Sequence, residues 1–179
     1  MARRTRSPEN TGTLFDAARR KTPMDDAEGP YLFDVGVIAL AHTEAPVRDA
    51  ALSYVRDAIA GDITAVVPYP ALLGAHTVLT TYYGRSNADA SRLLENFMDA
   101  NRIHWYDRTP TDVVRAGFSL AGDRNTDGWD GYYAQVAIDE GVNTVLTIDD
   151  DFDRFEAFTT EIILSPAEFN ELNQFLDSP

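Results

Sequence analysis

The chain has 179 residues and a formal net charge of −14, and it contains no cysteine. This length fits one domain with a substantial core, and the missing cysteine excludes disulfide scaffolds, thiolate zinc sites and cysteine nucleophiles. No apolar run approaches the twenty or so residues of a membrane-spanning helix, and the basic start lacks the apolar stretch of a signal peptide. We therefore expect a cytoplasmic protein without a membrane partner.

The charged residues of the chain have an unusual composition. Twenty of the 29 acidic residues are aspartate, and Lys21 is the only lysine among the 15 basic residues. A dense carboxylate surface of this kind is typical of adaptation to high salt, where self-repulsion is screened, and it indicates a haloarchaeal-type proteome. The negative charge is therefore weak evidence against a nucleic-acid partner, and any single aspartate is more often part of a solvated surface than of a reaction site.

The sequence divides into a polar N-terminal arm, residues 1–29, and a folded domain, residues 30–179. The first 21 residues carry six basic and two acidic side chains, whereas the rest of the chain is strongly acidic. A flexible tail and an arm that touches nucleic acid both stay open as interpretations of this segment.

From residue 31 onward, strand-like and helix-like patterns alternate. Short apolar runs predict strands over 31–35, 64–67, 103–106, 144–148 and 161–164. Helical spacing and capping residues predict helices over 37–42, 46–60, 68–83, 87–100, 109–120, 129–140, 152–155 and 166–176, with a polar loop over 122–127. This alternation predicts an α/β fold with a mostly parallel, helix-covered sheet, and ligands in such folds bind beyond the carboxyl ends of the strands.

Three aspartates stand out because of their surroundings. Asp34 lies in a stretch, 31–40, that is otherwise uncharged and mainly apolar, and Asp149 follows the apolar strand 144–148. Asp130 opens the helix that leads into this strand. A carboxylate in apolar surroundings must be paired or bound to a metal. Helix capping is the alternative role for Asp34 and Asp130, and it is compatible with a function.

These three acids are expected to meet at one edge of the sheet, because all of them lie at the carboxyl ends of strands or before a helix that starts there. Asp151 and neighbouring acids follow Asp149 directly, and a divalent cation would relieve their mutual repulsion. Carboxylates without His or Cys are typical ligands of Mg²⁺ or Mn²⁺ rather than zinc. Such a cation commonly serves phosphoryl chemistry, where it binds phosphate oxygens, activates a water and neutralises charge.

At these residues the sequence resembles the PIN-domain ribonuclease family, in particular the VapC-like toxins of toxin–antitoxin pairs. The resemblance rests on the ordered segments 32–37 (LFDVGV), 128–137 (GWDGYYAQVA) and 146–152 (LTIDDDF), and it covers about residues 30–165. It implies a PIN-like three-layer α/β/α fold with about five parallel strands. It also implies a toxin-like, metal-dependent endoribonuclease that hydrolyses RNA phosphodiester bonds and pairs with a cognate antitoxin.

The family's functional residues carry over to matching positions of this chain. The resemblance implies catalytic and metal-binding carboxylates at Asp34, Asp130 and Asp149, second-rank metal ligands at Asp151 and Asp127, and an orienting hydroxyl at Thr147. The cation implied is Mg²⁺ or Mn²⁺.

The chain departs from the family pattern at one point. The family places a glutamate on the helix after the second strand, and the corresponding residue here is Gly74. No Asp or Glu occurs anywhere in 63–88, so no shift of the alignment recovers this acid. Three interpretations stay open: a one-metal nuclease, a nuclease that uses Asp127 or Asp151 instead, and a catalytically impaired PIN fold that acts as an RNA- or protein-binding module.

The acid-free stretch 63–88 has a second implication. Its helix, 68–83, has apolar residues with only neutral neighbours, so it is either buried on most sides or an interface with a subunit or partner. Homodimerisation through this region is a hypothesis.

Aromatic and basic residues supply candidate RNA contacts. The aromatic side chains at 105, 129, 132 and 133 could stack on bases, with core packing as the alternative role. The candidate phosphate contacts of the domain are Arg85, Arg92, Arg102, Arg108, Arg115 and Arg124. A P-loop enzyme is excluded because its phosphate-binding motif is missing.

Overall fold

The computed structural model describes residues 28–177. Of the predicted arm, residues 1–29, only the last two are among the described residues. The strands are β1 Glu28–Phe33, β2 Ile63–Pro68, β3 His104–Tyr106, β4 Thr144–Thr147 and β5 Thr159–Ile162. The helices are α1 Val35–Ala41, α2 Arg48–Ala60, α3 Tyr69–Thr81, α4 Asn87–Met98, α5 Thr111–Arg124, α6 Gly128–Asp139 and α7 Pro166–Leu176. No helix within this part of the chain is long and apolar enough to span a membrane.

The five strands form one sheet in the order β3-β2-β1-β4-β5, and every neighbouring pair is parallel. Helices connect all the strands except β4 and β5 and flank the sheet, which confirms the predicted α/β/α architecture. In the pairing of β1 with β4, Phe33 lies opposite Leu146. The residues that follow these two, Asp34 and Thr147, therefore reach the carboxyl edge of the sheet side by side.

The two central strands lie in the middle of the core. Leu32 and Phe33 of β1 and Val145 and Leu146 of β4 have no exposed surface. Strands covered by helices on both faces are apolar throughout instead of alternating, because neither face meets water. This explains why both strands are continuous apolar runs in the sequence, and why the acids that follow them are conspicuous.

Helices α5 and α6 are in backbone contact. A Cβ atom on Gly131 would lie 2.2 Å from the carbonyl oxygen of Gly117, and one on Gly117 would lie 2.8 Å from the Tyr132 Cα. Both distances are far below van der Waals contact, so only glycine permits this crossing. The crossing fixes the position of α6, which carries Asp130 in its first turn.

Several predicted boundaries were wrong; β5, for example, was predicted over 161–164 and lies at Thr159–Ile162. Three of the differences have a clear local cause. The first strand ends at Phe33, because Asp34 already caps α1, which consequently begins at Val35. The polar loop predicted over 122–127 is shorter, because α5 continues to Arg124 and ends at Asn125 with a left-handed φ of 53°. The predicted helix over 152–155 is a single 3₁₀ turn, Asp151–Arg154.

Candidate active site

Asp34 connects the end of β1 to the start of α1. Its backbone N–H donates to the Leu146 carbonyl at 3.1 Å, which extends the pairing of β1 and β4 by one residue. Its carboxylate accepts a hydrogen bond from the Gly36 N–H at 3.3 Å and caps the helix. A Cβ atom on Gly36 would lie 2.6 Å from Ile148 Cγ1, so the glycine lets α1 approach the segment after β4. The capping role predicted as an alternative for Asp34 is present, and the side chain still lies at the sheet edge.

Thr147 lies between two of the predicted site aspartates. This residue is fully buried at the end of β4. Its hydroxyl oxygen is 3.4 Å from Asp34 Oδ2 and 3.3 Å from Asp149 Oδ1, and it accepts a hydrogen bond from the Asp149 N–H at 3.3 Å. A hydroxyl has one proton and can donate to only one of the two carboxylates at a time. This geometry fits the orienting role predicted for Thr147, which stays a prediction.

Asp130 and Asp127 lie at the start of α6 and have different surroundings. Asp127 is the N-cap, and its Oδ1 accepts hydrogen bonds from the N–H groups of Trp129 at 2.6 Å and Asp130 at 3.1 Å. Asp130 Oδ2 accepts a hydrogen bond from the Thr126 hydroxyl at 2.6 Å. Asp127 is thus engaged in capping, whereas Asp130 is held by a hydroxyl much as Asp34 and Asp149 are.

Thr126 is a site residue that the sequence reasoning missed. A hydroxyl residue four positions before an acid is a weak signal, because the direction of a loop side chain depends on the backbone path. That path is set here by Asn125, whose carbonyl accepts a hydrogen bond from Arg154. The arginine comes from the 3₁₀ turn after Asp149, so it connects the two acidic segments of the site.

The second-rank candidate Asp151 is exposed at the start of the 3₁₀ turn. Its backbone N–H donates to Asp149 Oδ1 at 3.3 Å, which places the residue at the edge of the cluster.

The acids influence one another electrostatically. The pKa of Asp34 is raised to about 7, mainly by burial and in part by the charges of Asp149 and Asp130, although hydrogen bonds from the backbone N–H groups of Val35 and Gly36 act in the opposite direction. Burial likewise raises the pKa of Asp130 and of Asp149, and the charge of Asp151 adds to both effects. These carboxylates come from three separate segments of the chain, and in the folded protein they lie close enough for the charge of one to affect the pKa of another. A bound cation would stabilise their ionised forms.

The donor atoms of this cluster suit a hard divalent cation, because they are carboxylate and hydroxyl oxygens. Within residues 28–177, no three acidic or histidine side chains are close enough to enclose a metal ion by themselves. Mg²⁺ does not require such a cage, since proteins commonly bind it through one or two carboxylates and leave the remaining positions to water and substrate phosphates. The Asp34–Asp149 pair fits this mode, with Asp130 as a further acid nearby.

Gly74 occupies the position where the family pattern has a glutamate. A Cβ atom there would lie 2.8 Å from Val35 Cγ2 and 3.1 Å from Val35 Cγ1. Val35 directly follows Asp34, so Gly74 does lie close to the candidate site. The contact between α1 and α3 fills the space that a side chain would need, and a β-branched valine has little freedom to move aside.

The raised pKa of Asp34 predicts how stability depends on pH. The folded chain retains the Asp34 proton up to about pH 7, whereas the unfolded chain releases it near the ordinary value of 3.8. The resulting stabilisation is complete below pH 3.8 and is lost as the pH rises through 7. An Asp34→Asn variant has no proton to release, so its stability relative to wild type should increase by a few kcal/mol between pH 4.5 and 8, at about 1.4 kcal/mol per pKa unit.

Denaturant unfolding in EDTA and constant KCl, followed by tryptophan fluorescence, measures this difference. Taking the difference between the two proteins cancels the contribution of most other titrating groups. Stability curves that run parallel across this pH range would contradict the prediction.

Comparison with known proteins gives structural similarity only. No family model and no curated protein matches the sequence. Among solved structures, the Mycobacterium tuberculosis toxin VapC20, described as cleaving the sarcin-ricin loop, is 13% identical with a TM-score of 0.56, over 69% of this chain and 92% of that one. PAE2754 from Pyrobaculum aerophilum is 18% identical with a TM-score of 0.53, over 82% and 94%. FitAcB from Neisseria gonorrhoeae is 18% identical with a TM-score of 0.50, over 73% and 95%. The chain therefore has the PIN-like α/β/α fold that these structures share, as the sequence predicted.

Proposed function

We propose that this chain is a Mg²⁺- or Mn²⁺-dependent endoribonuclease of PIN type, a toxin-like hydrolase of RNA phosphodiester bonds. The proposal depends above all on one observation: the carboxylates of Asp34 and Asp149 lie on either side of the buried Thr147 hydroxyl at the carboxyl edge of the sheet. The fold it shares with a toxin described as cleaving the sarcin-ricin loop supports RNA as the substrate.

Each residue of the site has a distinct task in this proposal. Asp34 and Asp149 hold the cation, and Asp130, whose orientation Thr126 maintains, adds a further negative charge nearby. When bound, the cation neutralises charge on the phosphodiester and makes a water molecule more acidic. Because the pKa of Asp34 is about 7 without metal, this residue gives up its proton when the cation binds near neutral pH.

A second candidate function is a PIN fold that binds RNA or protein without cleaving. The contact between Gly74 and Val35 favours it, because that contact leaves no room for the family's additional acid. A site with fewer carboxylates binds a divalent cation more weakly, since affinity follows the number and charge of the ligands.

The surface around α3 favours a protein partner, either a second copy of the chain or an antitoxin. Leu73 is 73% exposed and Tyr82 64% exposed, although the opposite side of the helix packs into the core through Leu72 and Leu79. The helix is therefore neither fully buried nor polar on its outer side, and exposed apolar surface of this kind often marks an interface.

Metal dependence is the feature that separates the two functions. Calorimetric titration of the wild-type chain with Mn²⁺ in concentrated KCl should show saturable binding and release of protons near pH 7. RNA cleavage should require Mn²⁺ or Mg²⁺ and stop on addition of EDTA. A folded chain that binds RNA but neither binds Mn²⁺ nor cleaves would establish the binding module instead.

A further inference from the structure

A cavity of about 520 Å³ lies beside the candidate active site, between α5, the first turns of α3 and α6, and the segment that precedes α5. Its walls are mainly apolar and include Phe118 and Trp129, with Thr109 and Asp127 among the polar contributors. Asp127 caps the helix whose first turn carries Asp130. The cavity thus adjoins the acidic cluster without being part of it.

Trp129 is the most exposed of the aromatic residues considered for base stacking. Its indole ring stacks on the Tyr133 ring, with an angle of 23° between the planes and 6.0 Å between the centroids. Tyr133 is buried and holds this ring in place, whereas Trp129 remains 60% exposed. Tyr132 is also buried, and Trp105 is half-buried and donates its indole N–H to the Ala100 carbonyl. Packing therefore explains the other three aromatic residues but not Trp129.

A smaller cavity of about 360 Å³ adjoins the first one, and Pro70 and Thr109 line both. Arg108 lines this second cavity, and its guanidinium lies 5.6 Å from the centroid of the Tyr106 ring.

Arg108 also differs from most of the other candidate phosphate contacts. Arg85, Arg92 and Arg124 form ion pairs with acidic side chains, whereas Arg108 forms none with the residues of 28–177. On a chain of charge −14, an unpaired guanidinium next to a cavity is a favourable position for a phosphate.

We propose that the larger cavity binds one unstacked nucleobase of the RNA strand, with Trp129 as its stacking surface, while Arg108 contacts a phosphate of the adjoining nucleotide. This inference rests on the proposed function, because it assigns a specificity site next to the phosphodiester at the acidic cluster. An uncharged base suits the cavity because the faces of a base stack on aromatic rings. A phosphate does not suit it, because Asp127 in the wall would repel the negative charge. The phosphate of the adjoining nucleotide meets Arg108 instead, which lines the second cavity together with Asp107 and the uncharged residues around them.

Binding of RNA with single missing bases tests the proposal. A fluorescein-labelled seven-nucleotide single-stranded RNA of mixed sequence and seven versions, each lacking one base, would be titrated with the full chain. EDTA prevents cleavage, and KCl is kept at the lowest concentration at which the chain stays folded. Wild type should lose about tenfold in affinity when one particular base is missing, since stacking of a base on an aromatic side chain contributes substantially to binding of single-stranded RNA.

Variants at Trp129 separate stacking from a structural role. Trp129→Ala should weaken binding of the intact RNA about tenfold and remove the dependence on that base, and Trp129→Phe should retain most of both. Phe175→Ala, which removes an exposed aromatic ring from α7, outside both cavities, should change neither. Circular dichroism should show that all three variants are folded.

Wild-type affinity in Trp129→Ala, or an equal effect of every missing base, would overturn the proposal. It would also be overturned if Trp129→Ala abolished binding of a protein partner and left RNA binding unchanged. Failure of the proposed function is a separate outcome: RNA binding that depends on Trp129 in a chain that never cleaves would uphold the base cavity and remove the nuclease. If Trp129→Ala cleaved RNA at the same sites and with the same KM as wild type, the nuclease would be upheld and the base cavity removed.

Discussion

Asp34→Asn is expected to abolish Mn²⁺-dependent RNA cleavage while the chain remains folded. The substitution keeps the shape of the side chain and an oxygen that can accept the Gly36 N–H, but it removes one of the two negative charges beside Thr147. Changes to residues that only support a metal ligand typically cost about 10- to 100-fold in affinity or activity, so loss of a ligand charge should cost at least about 100-fold. Initial cleavage rates at saturating Mn²⁺, together with calorimetric Mn²⁺ titration, measure both consequences.

The matched control is Asp99→Asn, which removes the same charge from an exposed aspartate at the end of α4. Its cleavage rate and Mn²⁺ affinity should equal those of wild type, because a single exposed charge on a strongly acidic surface is screened in concentrated KCl. Full cleavage by Asp34→Asn would refute the assignment of the metal site to this edge of the sheet.

The fold was predictable because buried strands and capped helices have recognisable sequence patterns. Strands covered on both faces must be apolar throughout, so β1 and β4 were recognisable, and caps such as Ser165 marked where helices begin. Helix ends were less predictable. The segment 122–127 is polar apart from one glycine, but α5 extends into it because the helix ends only at Asn125, which adopts the left-handed conformation.

The candidate site was predictable as a set of residues but not as an arrangement. Asp34 and Asp149 were identified because each follows an apolar strand, and parallel strands bring such residues to one edge. The bond from Thr126 to Asp130 depends on a loop conformation that no local pattern encodes. The same is true of the cavity beside Trp129, because its walls come from distant segments that meet only through tertiary packing.

Gly131→Ala is expected to destabilise the folded chain, and to reduce cleavage without changing a carboxylate. The added Cβ would lie 2.2 Å from the Gly117 carbonyl oxygen and 2.8 Å from the Ala121 Cβ, and neither atom can move unless α5 shifts. Overpacking usually costs about 1–3 kcal/mol, and rigid neighbours place this case near 3 kcal/mol. The helix-propensity gain of alanine over glycine offsets about 1 kcal/mol of that cost. Thermal unfolding in concentrated KCl should show the lower Tm.

The effect of Gly131→Ala on cleavage follows from the position of Asp130, the residue just before it. A shift of α6 by about 1 Å moves this carboxylate relative to Asp34 and Asp149, and displacements of that size can cost on the order of 100-fold in rate. The control is Gly122→Ala in α5, where an added Cβ meets no atom within 4 Å. Alanine there should leave cleavage unchanged and raise stability by up to about 1 kcal/mol. If both variants behaved alike, the contact between α5 and α6 would not be what positions Asp130.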